Sequence, residues 1–184
     1  IESYKFNEAA DTLYHFVWNQ YCDWYVEFIK PVLADSEETR LVAAYVLHQT
    51  LHLLSPFMPF ITEELNAKLF GRDKMLMVAD WPAAAVGASA DTGISTIIDI
   101  ISEIRTMRSE MNVPLSAKPV LVIRGVSEEQ RGIIDAMTLP LLRLARLGGV
   151  SYHEGDFEKG TARTSLQGMD MGLPVTGSLD FDAE

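Results

Sequence analysis

The stretch from Phe16 to Lys30 constrains this chain more than any other. Its fifteen residues hold two Trp, two Tyr, two Phe and the only Cys of the sequence. Phe6, Ala10, Leu13, Val17, Trp24 and Phe28 recur at steps of three, four or seven, which places them on one face of a helix. Tyr14, Trp18, Tyr21, Tyr25 and Ile29 form a second face at similar steps. A helix apolar on two sides has neighbours on both. The spacing therefore predicts one central helix, with Asn7 as N-cap, Glu8 and Asp11 in its first turn, and a stop at Pro31.

Three more helices follow from the same reasoning. Ser36 caps a second, with Glu37 and Glu38 in its first turn and Leu41, Ala44, Tyr45, Leu47, Leu51 and Leu54 on its apolar positions. The proline-broken, apolar connection Ser55–Phe60 is expected to lie against helices, away from water. Thr62 is read as the cap of a third helix, ended by Gly71. Lys74 to Pro82 looks irregular, with Trp81 as a packing anchor. Ala83 to Gly93 has the Ala, Gly and Ser content of a linker or domain boundary. Ile94, Ile97, Ile98, Ile101, Ile104 and Met111 mark a fourth helix, closing before Val113-Pro114.

From Pro119 the pattern changes. Val120–Ile123 reads as a buried strand, and Ser127 with Gln130 as a capping box opening a helix. Thr138 and Pro140 open another short helix, ended by Gly148-Gly149. Val150–Tyr152, Ala162–Leu166 and Leu173–Thr176 read as short strands. The expected class is α+β: a helical bundle over residues 1–114 and a small α/β unit over 115–184.

Searching for chemistry excludes more than it finds. There is no Gly-rich phosphate loop, no Gly-x-Ser-x-Gly and no pair of Cys-x-x-Cys motifs, so no catalytic residue is assigned. His48 and His52 stand at i, i+4, but no third ligand is spaced with them, and no metal site is assigned. Cys22 among aromatics reads as an inert buried thiol, and Glu63-Glu64 as acids favoured by a helix N-terminus. A lone Cys and the lack of a signal pattern fit a reducing cytoplasm, and no apolar run is long enough to span a membrane. The sequence opens without Met, as a segment cut from something longer would.

Charge gives the one functional lead. The net charge of −11 argues against generic nucleic-acid binding and against DNA as a partner. Between Arg105 and Arg146, however, seven Lys/Arg face four acids. Arg105 and Arg108 lie one turn apart on the fourth helix, and with Lys118 they are the candidate phosphate contacts for RNA. The competing reading is a solvated helix side paired with Glu103 or Glu110. An open face shared by both arginines favours RNA; ion-paired arginines remove that support.

Three blocks, in order, resemble bacterial valyl-tRNA synthetases: Phe16-Val17-Trp18-x-x-Tyr21-Cys22-Asp23-Trp24-Tyr25-Val26-Glu27-x-x-Lys30-Pro31; Leu53 to Leu65 followed by Trp81-Pro82; and Ile104-Arg105-x-x-Arg108-x-Glu110-Met111-Asn112-Val113-Pro114. The tail Leu173–Asp180 resembles the segment before that family's C-terminal coiled coil. The resemblance implies part of a class I synthetase: most of its helical anticodon-binding domain and the small α/β unit after it. It implies valine tRNA as partner and ATP as the parent enzyme's co-substrate, with no cofactor in this segment. It also makes Trp18, Cys22, Trp24, Tyr25, Phe57, Phe60 and Trp81 a structural core signature.

The catalytic His-x-Gly-His is absent, and Lys74-Met75 continues as Leu76-Met77-Val78, unlike the family's Lys-Met-Ser-Lys-Ser loop. Asn66 stands where the family commonly has tryptophan. The family's upstream helix, with much of its anticodon contact, does not appear. An apolar strip is therefore expected beside the first helix. Two readings stay open, a tRNA-binding module and a helical protein-interaction scaffold.

Overall fold

The computed structural model describes residues 4–71, 75–83 and 92–174. The chain forms two compact units, residues 1–88 and 89–184. The linker expected at Ala83–Gly93 lies mostly outside the described residues, as does the end of the strand expected at Leu173–Thr176. The fourth helix, expected to belong to the bundle, packs in the second unit, on its third strand and its next helix.

In the first unit, α1 (Phe6–His15) runs into a π-helical segment (Phe16–Tyr25) and then α2 (Val26–Ile29). The expectation of a single α-helix is corrected here, because the Val26 N–H bonds to the Tyr21 carbonyl, an i→i+5 step. Asn7 does not cap; the helix starts two residues earlier than expected, at Phe6 after Lys5. None of the residues from Phe6 to Ile29 is buried. The aromatic spacing of four produces ring-on-ring stacks along the segment: Tyr14 on Trp18 at 6.2 Å, Tyr21 on Tyr25 at 5.6 Å and Trp24 on Phe28 at 6.1 Å.

Helix α3 (Glu37–Leu54) is capped by Ser36, whose hydroxyl accepts from the Thr39 N–H at 3.1 Å. Helix α4 (Pro59–Phe70) starts earlier than expected. Pro59 takes its first position, where a missing N–H costs nothing. Thr62 is consequently interior and buried, and its hydroxyl donates to the carbonyl of Met58 at 2.9 Å. Asn66, on the same helix, is buried as well. Gly71 ends α4 at φ 94°. The Glu63 carboxylate then accepts from the N–H groups of Leu76 and Met77, at 3.2 and 3.0 Å, and so holds a 3₁₀ turn (Leu76–Val78) against α4.

The core signature needs correction. Trp18, Phe60 and Trp81 are 59%, 90% and 52% exposed, and Cys22 is exposed too. Trp24, Tyr25 and Phe57 are half-buried. The physical reason is architectural. Helix α1 packs on α3 and α3 on α4, but no described element of this unit covers the outer side of Trp18. An open apolar groove of about 360 Å³, lined by Tyr14, Val17, Trp18, Leu54, Phe57 and Met58, marks the place.

Among the described residues, the second unit is a four-stranded sheet with three helices. Helix α5 (Thr92–Glu110) precedes β1 (Val120–Arg124), α6 (Glu128–Ala136), α7 (Thr138–Leu144), β2 (Gly149–Tyr152), β3 (Thr161–Leu166) and β4 (Met169–Pro174). The sheet order is β2-β1-β4-β3. β1 and β2 are parallel, joined through α6 and α7, while β4 runs antiparallel to both β1 and β3. The core includes Ile97, Ile100, Ile101 and Ile104 of α5, Leu121 and Ile123 of β1 and Met169, Met171 and Leu173 of β4, all with no measurable exposure. The Ser127–Gln130 capping box forms as expected. Gln167 and Gly168, at φ 49° and 83°, make the tight turn between β3 and β4.

Candidate RNA interface

Two helices end side by side. Helix α5 ends in a Schellman turn: the Val113 N–H reaches the Arg108 carbonyl at 2.9 Å, the Asn112 N–H reaches Ser109 at 3.2 Å, and Asn112 is left-handed at φ 51°. Val113 and Met107 are both buried here, and Pro114 prevents continuation. Helix α7 ends the same way. The Leu147 N–H bonds to Leu142 at 2.8 Å, and the left-handed residue is Arg146, at φ 55°. The helix therefore stops two residues before the glycines expected to end it. Gly148 serves another purpose: a Cβ there would stand 2.6 Å from the Lys118 carbonyl, so only glycine lets the 118–119 backbone pass.

Helix C-termini expose carbonyls and carry partial negative charge, so they attract cations. Arg108 occupies the place between the two ends. Its Nη2 donates to the carbonyls of Pro114 at 2.9 Å and Ala117 at 3.0 Å, and its Nη1 donates to Arg146 at 3.1 Å. The side chain is buried. Burial pushes its pKa below the usual arginine value, and the neighbouring Arg146 charge adds to that. Arg105, one turn earlier, donates from Nε to the Leu144 carbonyl at 3.1 Å and is otherwise exposed.

Arg105 and Arg108 therefore do not form one open face. Arg108 is an internal strut bonded to main-chain carbonyls rather than to carboxylates. Lys118 is exposed, as expected of a phosphate contact. Arg124 is bound to Asp156 at 3.1 Å and Asp170 at 2.9 Å and lies over the Phe157 ring. The Ser165 hydroxyl, and after it Arg124, hold the Asp170 carboxyl below its ordinary range. Arg131 lies over the Tyr152 ring and reaches Asp135.

The other candidate sites resolve as packing. His48 sets its ring on Phe70 at 5.0 Å and His52 on Trp81 at 5.8 Å. Among the described residues no cluster of three or more metal-ligating side chains includes them. No helix among the described residues is long and apolar enough to cross a membrane.

The family described as the anticodon-binding domain of tRNA ligase matches residues 1–123. The chain belongs to that family. The match takes in the whole helical unit, α5 with its Schellman turn, and most of β1. Along its full length the chain is also similar to bacterial valine–tRNA ligases. It is 41% identical to that of Rhizorhabdus wittichii, 43% to that of Rhizobium meliloti and 40% to that of Zymomonas mobilis, covering 21%, 20% and 22% of those proteins. The chain spans about a fifth of the length of the relatives it matches. Anticodon binding is the property for which the family is named, whereas the exposed aromatic face of the first unit is what a protein-contacting scaffold would show.

Proposed function

We propose that this chain is the portion of a cytoplasmic valine–tRNA ligase that seats the anticodon arm of valine tRNA. It holds no aminoacylation site, and ATP-dependent attachment of valine belongs to the parent enzyme. The observation that carries the reading is the family match over residues 1–123 together with full-length similarity to valine–tRNA ligases. The charge pattern supports it: Arg105 and Lys118 lie exposed in the basic stretch of an otherwise acidic chain and contact phosphate in this reading, while Arg108 fixes the backbone that carries Lys118.

The exposed aromatic face of the first unit favours the scaffold reading as a companion. Exposed apolar surface of this extent is a contact surface, and another polypeptide segment covers it in this account. Filter binding decides between tRNA seating and scaffolding alone. The isolated chain should bind valine tRNA weakly, with a Kd on the order of micromolar or looser, and the affinity should fall steeply with salt. No difference between tRNA and an uncharged polymer leaves only the scaffold. Valine-dependent pyrophosphate exchange by the chain alone would contradict the assignment of catalysis to the parent.

A further inference from the structure

Lys118, Arg143 and Arg146 are exposed cations of the basic stretch with no carboxylate partner among the described residues. They line one open cleft of about 510 Å³ in the second unit, between the 115–118 segment and α7. Leu115 and Leu139, 72% and 71% exposed, line the same cleft. Arg146 and Leu115 also line an adjoining cleft that includes Arg105. Four positive groups and two exposed leucines thus share a continuous surface in a chain of net charge −11. From the sequence, Arg105, Arg108 and Lys118 were the candidate phosphate contacts, within a stretch that also holds Arg143 and Arg146. Arg143 and Arg146 join Arg105 and Lys118 because the end of α7 lies beside the end of α5.

The like charges of Lys118, Arg143 and Arg146 repel one another, and an anion relieves that repulsion. The internal arginine makes the arrangement durable. Arg108 bonds the carbonyls of Pro114, Ala117 and Arg146, so both walls of the cleft are tied to one buried group. Gly148, passing against the Lys118 carbonyl, holds the same walls together. The cations therefore stand on a prearranged surface, as binding with little ordering cost requires.

We propose that the RNA-contacting surface extends from Arg105 and Lys118 over this cleft, on the α/β unit, which takes the phosphate backbone of the bound RNA through Lys118, Arg143 and Arg146. Leu115 and Leu139 lie against the sugars. The contact is independent of base sequence, because cations on phosphate position an RNA without reading it. The proposal rests on the tRNA-binding reading above and adds to it a surface outside the helical bundle.

The test compares the full chain with Lys118→Ala/Arg143→Ala and with a charge-matched control, Arg131→Ala/Lys159→Ala. Binding of valine tRNA and of an unrelated tRNA is titrated across salt concentration. The cleft variant should bind both RNAs about tenfold more weakly at low salt, and its log–log salt slope should fall by roughly 1.5, the value for two lost phosphate contacts. The control should follow the unaltered chain. Equal affinity and slope in the cleft variant and the unaltered chain would overturn the cleft and leave the tRNA reading standing. Equal losses in variant and control would also overturn it, since net charge alone would then account for the effect. No binding by the unaltered chain would overturn the reading and the cleft together.

Discussion

The two units spend their apolar residues in opposite ways. Among the described residues, Leu51 and Leu76 are the buried hydrophobics of residues 1–88, against eighteen in residues 89–184. Of the exposed large hydrophobics among the described residues, eighteen belong to the first unit and five to the second. The second unit closes a sheet and three helices around one core. The first lays helices side by side and leaves its aromatics open. Self-burial and interface use apolar residues equally well, and only the number of layers decides between them. The family match runs across this division, through α5 and into β1, so the segment a family shares and the segment that packs as one body differ here.

Substitutions can break the comparison or sharpen it. Ile104→Ala in the sealed core should cost about 2–5 kcal/mol, read by denaturant melting. A small cost would mean the second unit is looser than its burial implies. Arg108→Met keeps the volume and removes the bonds to three carbonyls, for a loss of about 1.5–3 kcal/mol. Arg108→Lys should recover only part of it, because an ammonium cannot reproduce the planar fork. Trp24→Ala, half-buried and stacked on Phe28, should cost only about 1–2 kcal/mol. A loss as large as that at Ile104 would show that the first unit has a core after all. Phe60→Ser, at a 90% exposed position, should shift stability by under about 0.5 kcal/mol and reduce self-association in size-exclusion chromatography.

Much of the fold was legible because local signals carried it. The Ser36 cap, the Ser127–Gln130 box, the Gly71 stop and Ile97, Ile101 and Ile104 of α5 appear where the spacing puts them, whereas Ile94 and Met111 are exposed and Ile100 is buried unread. The losses occurred where tertiary context decides. Aromatics at a spacing of four fit a buried stripe and a self-stacked surface equally, and sequence periodicity does not distinguish the two. Pro59 displaced Thr62 from the start of α4 because a proline suits the first helical position better than the interior. The left-handed residue closing α7 is Arg146, whereas glycine is the usual signal, so the stop went unread. Of the proposed RNA contacts, Arg105 and Lys118 are exposed and Arg108 is not. Residues one turn apart on a helix can face different surroundings where the helix ends beside another.

Native-state hydrogen exchange on the full chain tests the contrast between the units most directly, because it reads local stability amide by amide. The amides of α5 from Ile97 to Met107 and of β1 from Leu121 to Ile123 should exchange at least about a thousandfold more slowly than those of the π-helical segment Phe16–Tyr25. Comparable protection in the two regions would contradict the account, since the first unit would then be stabilised as fully as the second without a buried core of its own.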